Sequence, residues 1–144
     1  MLDNSNISIT LVSENTYTEK QPIGTFIKNR IKADHKVLHH FTTEFLEIPL
    51  NIMRENLDTF SINAWIKELP EFDLLILAEA QELIARTATQ IFLGEILVAL
   101  VNAGKKVIVT SAENPNELNT FKEYLYSHLP KESILEADSL NDLF

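Results

Sequence analysis

Two short apolar runs, Leu74-Leu75-Ile76-Leu77-Ala78 and Lys106-Val107-Ile108-Val109-Thr110-Ser111, flank a long segment whose apolar residues recur at helical spacing. Continuous runs of this kind, without apolar–polar alternation, mark strands buried on both faces. Strands joined through a helix run parallel, since a hairpin cannot return the chain to the same end of the sheet. The pair therefore commits the chain to an α/β sheet covered by helices. In such sheets ligands sit beyond the carboxyl ends of the strands, which directs attention to the residues that follow Leu77 and Thr110.

The remaining elements fit around this unit. Ile7 to Val12 reads as a first strand, Ser13 to Gln21 as its exit loop, and Pro22 as the first turn of a helix to about Lys32, with Ile23, Phe26, Ile27 and Ile31 as its stripe. Lys36 to Phe41 is a second strand. Thr42 or Thr43 is the expected cap of a helix carrying Phe45, Leu46, Ile52 and Met53, which Pro49 should break in two. Ser61 to Leu69 forms a short amphipathic helix around Trp65 and Ile66, stopped by Pro70. The long helix spans Thr87 to Ala103, its stripe drawn through Ile91, Phe92, Glu95, Ile96, Ala99, Leu100 and Ala103, with Gly104 at the C-cap. Asn116 to His128 is a further helix, ended by Pro130, and Ser133 to Ala137 a fifth strand. The order predicts a three-layer α/β/α fold with a mostly parallel five-stranded sheet: one domain over residues 1–138 and a tail over 139–144.

Composition narrows the function. A net charge of −9 gives no general attraction for phosphate backbones, so direct nucleic-acid binding is not expected. With no cysteine, disulfides, thiol catalysis and cysteine-based metal sites are excluded. No basic region followed by an apolar stretch opens the chain, and no apolar run is long enough for a membrane helix, so the expectation is a cytoplasmic protein without membrane contact. There are only three glycines, Gly24, Gly94 and Gly104, little material for a phosphate-cradling loop.

Residues 7 to about 138 resemble the AAA+ ATPase core of the bacterial DnaA/Hda replication-initiator family. The resemblance rests first on Phe72-Asp73-Leu74-Leu75-Ile76-Leu77-Ala78-Glu79-Ala80-Gln81-Glu82-Leu83, which is similar to the family's Walker B strand. It continues in Asn102 to Leu118, similar to the sensor-1 strand and its proline-containing exit, and in His35 to Leu46, similar to the second strand and its helix. The implied fold is the P-loop NTPase architecture, and the implied activity is ATP hydrolysis.

The departures fall where that chemistry would occur. The family's glycine-rich loop ends in Gly-Lys-Thr; the matching segment here, Ser13-Glu14-Asn15-Thr16-Tyr17-Thr18-Glu19-Lys20, has no glycine. Glu19 falls where the lysine should be, or Lys20 does after a shift of one. A carboxylate facing a phosphate is repelled by roughly a few kcal/mol even at an effective dielectric near 20. Ala78 replaces an acidic Mg²⁺-holding residue, while Glu79 matches the carboxylate that orients water. Ala112, after Ser111, stands where the sensor is acidic, and Tyr124 and His128 take the places of arginines. The chain also stops where the family's helical lid would begin. No nucleotide, metal or other cofactor is expected, and the resemblance implies an ATPase relic without activity.

The single candidates are weaker than this pattern. Glu79 reads as a solvated strand-end carboxylate before it reads as a base. His39 and His40 are adjacent and point to opposite sides of a strand, which argues against a metal. Ser111 lacks an elbow glycine. Asp142-Leu143-Phe144 is similar to the end of peptides that dock on the bacterial sliding clamp, with Ser139 in place of their glutamine. The expectation is a non-catalytic domain acting through contacts with replication proteins: initiator, sliding clamp or polymerase subunits. The alternative is an accessory structural subunit of a polymerase or clamp-loader assembly.

Overall fold

The computed structural model describes residues 7–13, 36–111 and 118–137. The expected helix Pro22–Lys32 and the tail lie outside them. In chain order the elements are β1 (Ile9–Ser13), β2 (Val37–Phe41), α1 (Thr42–Glu55), α2 (Ile62–Lys67), β3 (Leu74–Ala78), α3 (Thr87–Asn102), β4 (Lys106–Ser111), α4 (Asn119–His128) and β5 (Ile134–Ala137). The strands form one sheet in the order β2-β3-β4-β1-β5, with every neighbouring pair parallel.

Register explains why the runs do not alternate. Ile9 lies opposite both Val107 and Ile134, and Leu75 opposite Val107, so these side chains share one face. That face, with Leu11, Leu77 and Val109, packs against Phe45, Leu46, Trp65, Leu93, Ile96, Leu97, Leu100, Phe121 and Leu125 from all four helices. Val12, Leu74, Ile76 and Ile108 on the other face are buried as well. Both faces are dry, and only uniformly apolar strands suit that position.

Three expectations need correction. First, α1 runs unbroken through Pro49. The proline lacks the N–H for an interior helical bond, yet it is buried on the same face as Phe45 and Leu46. Phe45 meets Trp65 edge-on at 5.4 Å between ring centres, so core packing holds the helix together where local propensity would end it. Second, neither Thr42 nor Thr43 caps α1. Phe41 is the N-cap residue, without a side-chain cap bond. Third, the buried face of α3 is Gln90, Leu93, Gly94, Ile96, Leu97 and Leu100, while Ile91 is 37% exposed. This helix is apolar on nearly every side, so spacing alone does not single out its inner face.

Other local readings agree with the structure. The Ser61 hydroxyl accepts from the Ala64 amide at 3.3 Å and starts α2. Gly104 follows α3 at φ +83°, a left-handed conformation that glycine adopts without penalty.

Candidate functional site at the strand ends

The carboxyl ends of β1, β2, β3 and β4 bring Ser13, Phe41, Ala78 and Ser111 along one rim, with Ser13 paired to Ser111 and Phe41 to Ala78 in register. The first strand's exit loop with Thr18, Glu19 and Lys20, the sensor position Ala112, and the tail residues Asp142, Leu143 and Phe144 lie outside the described residues.

At the centre of this rim Ala78 is buried, with 1% of its surface exposed. It offers a methyl group to the site. Its carbonyl oxygen accepts a 2.8 Å hydrogen bond from the Thr42 hydroxyl, which welds the start of α1 to the end of β3. This is the work Thr42 does in place of capping.

Glu79 comes next, and it alone among the described non-glycine residues has a positive φ (φ 60°, ψ 42°). A side chain in this left-handed region costs of order 1 kcal/mol or more and ends a strand abruptly. Here it turns the chain from β3 into a 3-10 turn, Ala80–Leu83. The Glu79 carboxylate accepts a hydrogen bond from the Gln81 side-chain amide. The surviving carboxylate is therefore engaged from its own turn.

Beyond β3 the rim opens into a cleft lined by Phe41, Thr43, Glu44, Glu47, Glu79 and Glu82. Phe41 is 47% exposed, and among the described residues no lysine or arginine lines the opening. On the β1–β4 side a small apolar cavity is lined by Leu11, Val12, Val109, Ser111, Leu118, Phe121 and Lys122. Ser111 is buried. On the other face of β4 the Thr110 hydroxyl is fully buried and has no hydrogen-bond partner.

Sequence reading missed Gln90, which is 2% exposed. Its amide nitrogen donates to the Leu83 carbonyl at 2.7 Å and the Ile84 carbonyl at 3.1 Å, while its oxygen accepts from the Phe121 amide at 3.0 Å. A lone glutamine in an apolar helical run was the only signal, and it is a usable one: an inward polar residue must find partners.

The two positions matched to arginines hold an aromatic stack. Tyr124 and His128 lie with ring centres 4.0 Å apart and planes 17° from parallel. The His128 Nδ1 is 2.9 Å from the Tyr124 carbonyl oxygen. Tyr124 also covers Gly94 so closely that a Cβ there would stand 2.5 Å from its Cδ1. Burial first, and then the Glu95 charge, push the Tyr124 hydroxyl's pKa up. At the β5 edge, Glu136 accepts from the Tyr126 hydroxyl at 2.9 Å and pairs with Lys122.

Among the described residues no cluster of three or more His, Asp or Glu suits a metal, and no helix is long and apolar enough to cross a membrane.

Comparison with known proteins agrees with this architecture. The family described as "Bacterial DnaA ATPAse domain" matches residues 21–135. Domain III of the Thermotoga maritima replication initiation protein DnaA superposes with a TM-score of 0.61 at 19% identity, over 96% of this chain and 57% of that one. A replication initiator DnaA bound to AMPPCP and single-stranded DNA gives a TM-score of 0.53 at 22% identity, over 94% and 42%. A DNA replication initiation factor gives 0.52 at 18%, over 93% and 41%. The chain thus spans about two-fifths to three-fifths of the length of these structures. No curated protein matches it by sequence.

Proposed function

The chain belongs to the bacterial DnaA ATPase-domain family, and from that premise we propose that it is a non-catalytic member acting through protein contacts in DNA replication or its control. The observation that carries this reading is the end of β3. There a buried methyl, Ala78, stands where the fold would present a metal-holding carboxylate, and Glu79 is turned onto Gln81. Hydrolysis of a nucleoside triphosphate in this fold needs a metal held at that strand end and a carboxylate free to orient water. The absence of glycine from the sequence Ser13 to Lys20, which includes Thr18 and Glu19, supports the same conclusion from the phosphate side.

One relative binds AMPPCP and single-stranded DNA; this chain, at a net charge of −9, is proposed to bind neither. Its partners are proteins of the replication machinery: an initiator, a sliding clamp or polymerase subunits. The tail Asp142-Leu143-Phe144 is the segment proposed to contact the clamp.

Calorimetric titration with ATP and magnesium tests the first half, with no binding at millimolar nucleotide as the expected result. A saturable isotherm would overturn it. Affinity purification from the host tests the second half. Recovery of one replication protein that is lost when Leu143 and Phe144 become alanine supports the contact role, and recovery of none refutes it.

A further inference from the structure

We propose that Gln90 is a brace coupling helix α4 to the turn that carries Glu79, so that a displacement of either is transmitted to the other. The two segments present complementary groups to each other. The 3-10 turn Ala80–Leu83 leads out through the carbonyls of Leu83, which accepts the Arg86 amide at 2.9 Å and keeps a second lone pair, and of Ile84. Helix α4 starts at Leu118 without a side-chain cap, which leaves the Phe121 amide among its orphan donors. Gln90 serves both ends. Its two N–H groups face the two carbonyls and its oxygen faces the amide, an arrangement that also fixes which end of the side chain is which.

The geometry leaves this amide little freedom. It is almost fully buried, and breaking one of its bonds strands a polar group in an apolar core. Moving α4 while the turn stays still would break the bond to Phe121; moving the turn alone would break those to Leu83 and Ile84. The cheaper response is a joint movement, which is the physical content of coupling between two sites. A further close contact between α3 and α4, Tyr124 on Gly94, lies one helical turn further along and does not involve the Ala80–Leu83 segment. Every group in the brace belongs to the polypeptide, so it forms with or without a bound nucleotide.

Hydrogen exchange on the whole chain tests this, read at the Glu82, Ile84 and Arg86 amides, which bond within the turn. Tyr124→Ala loosens α4 against α3 without touching those amides. In the wild-type background it is expected to speed their exchange roughly tenfold or more. In a Gln90→Met background they already exchange fast, and Tyr124→Ala adds nothing further. A turn indifferent to Tyr124→Ala in the wild-type background, or equally sensitive in both backgrounds, would overturn the proposal. Should Gln90→Met fail to fold, the side-chain amide protons of Gln90 give the second reading. In Tyr124→Ala they must lose protection together with the three turn amides, and unchanged protection at either place refutes the brace.

Discussion

The inner half of the strand-end rim, where β3 and β4 meet the first residues of α1 and α4, and the outer half, the open cleft between α1 and the turn after β3, differ in how they spend polar groups. In the inner half nearly every polar atom is consumed inside the molecule. The Thr42 hydroxyl holds the Ala78 carbonyl, Gln81 holds Glu79, and Gln90 serves two helix ends. In the outer half Glu44, Glu47 and Glu82 line an open cleft beside an exposed Phe41, and among the described residues His40 approaches Glu44 at 3.4 Å. The lesson is that one end of one sheet divides its labour. In the inner half polar groups are spent on holding elements together, and the half beside it stays solvated.

That contrast predicts unequal tolerance to substitution. Gln90→Leu keeps roughly the volume but takes the partner from the Ile84 carbonyl and the Phe121 N–H, and leaves the Leu83 carbonyl with the Arg86 amide alone. With an unmet buried group costing about 1–3 kcal/mol, and partial relaxation of the site, a loss of about 2–4 kcal/mol is expected in urea denaturation. A loss under about 1 kcal/mol would mean the inner half is not built on this amide. Gly94→Ala comes next. A Cβ 2.5 Å from the Tyr124 ring overpacks the helix pair, an effect of about 1–3 kcal/mol that the better helix propensity of alanine only partly offsets. In a Tyr124→Ala background the ring is gone and the sign should reverse, leaving Gly94→Ala stabilising by up to about 1 kcal/mol. Failure of that reversal would dissociate the glycine from the aromatic stack.

Thr110 is the exception within the inner half, since its hydroxyl is buried without a partner. Thr110→Val replaces that hydroxyl by a methyl of the same shape. It should stabilise the chain by up to about 1 kcal/mol, measured as a rise in the urea midpoint with unchanged slope. A destabilisation would show that the hydroxyl is used.

The two halves were also unequally legible in the sequence. β3 and β4 emerge at their predicted residues, because a doubly buried strand must be apolar without interruption and these runs are. Ala78, Glu79 and Ser111 could be placed at strand ends for the same reason. Gln90 could not be assigned a role, because its partners Leu83, Ile84 and Phe121 lie on two other elements and only folding brings them together. The inner face of α3 was misjudged for a related cause: where most positions are apolar, the surrounding elements choose which are buried. The Glu79 left-handed turn left no mark, since glutamate has no preference for it. Pro49 misled, as a local rule overridden by the burial of Phe45 and Leu46.

Away from both halves, the Lys122–Glu136–Tyr126 cluster gives a pH test. Burial, and then the hydrogen bond to Glu136 and its charge, push the Tyr126 hydroxyl up to about 12 from the usual 10.0. Its neutral form is favoured on folding, so this contribution is complete below the unfolded value of 10.0 and disappears as pH rises through about 12. Burial alone would raise the Glu136 carboxyl, but hydrogen bonds from Lys122 and Tyr126, with the lysine charge, hold it below its usual value. That contribution is present above the unfolded value and is lost as pH falls through the depressed one. Tyr126→Phe should therefore flatten the alkaline limb of the stability profile and weaken the acid limb only slightly. A spectrophotometric titration placing Tyr126 near an ordinary tyrosine would contradict it.

The smallest effect is expected in the outer half, and it bears most directly on the contrast. Glu44, Glu47 and Glu82 are solvated, so neutralising all three as Glu44→Gln, Glu47→Gln and Glu82→Gln removes no buried bond. What it removes is like-charge repulsion around one cleft in a chain already at −9, weakened by screening. The net change should be zero to about 0.5 kcal/mol in the stabilising direction, shrinking further as salt is raised. A loss above about 1 kcal/mol would show these carboxylates to be structural and erase the distinction between the two halves. A stabilisation that disappears in salt would show that they repel one another without being needed for the fold.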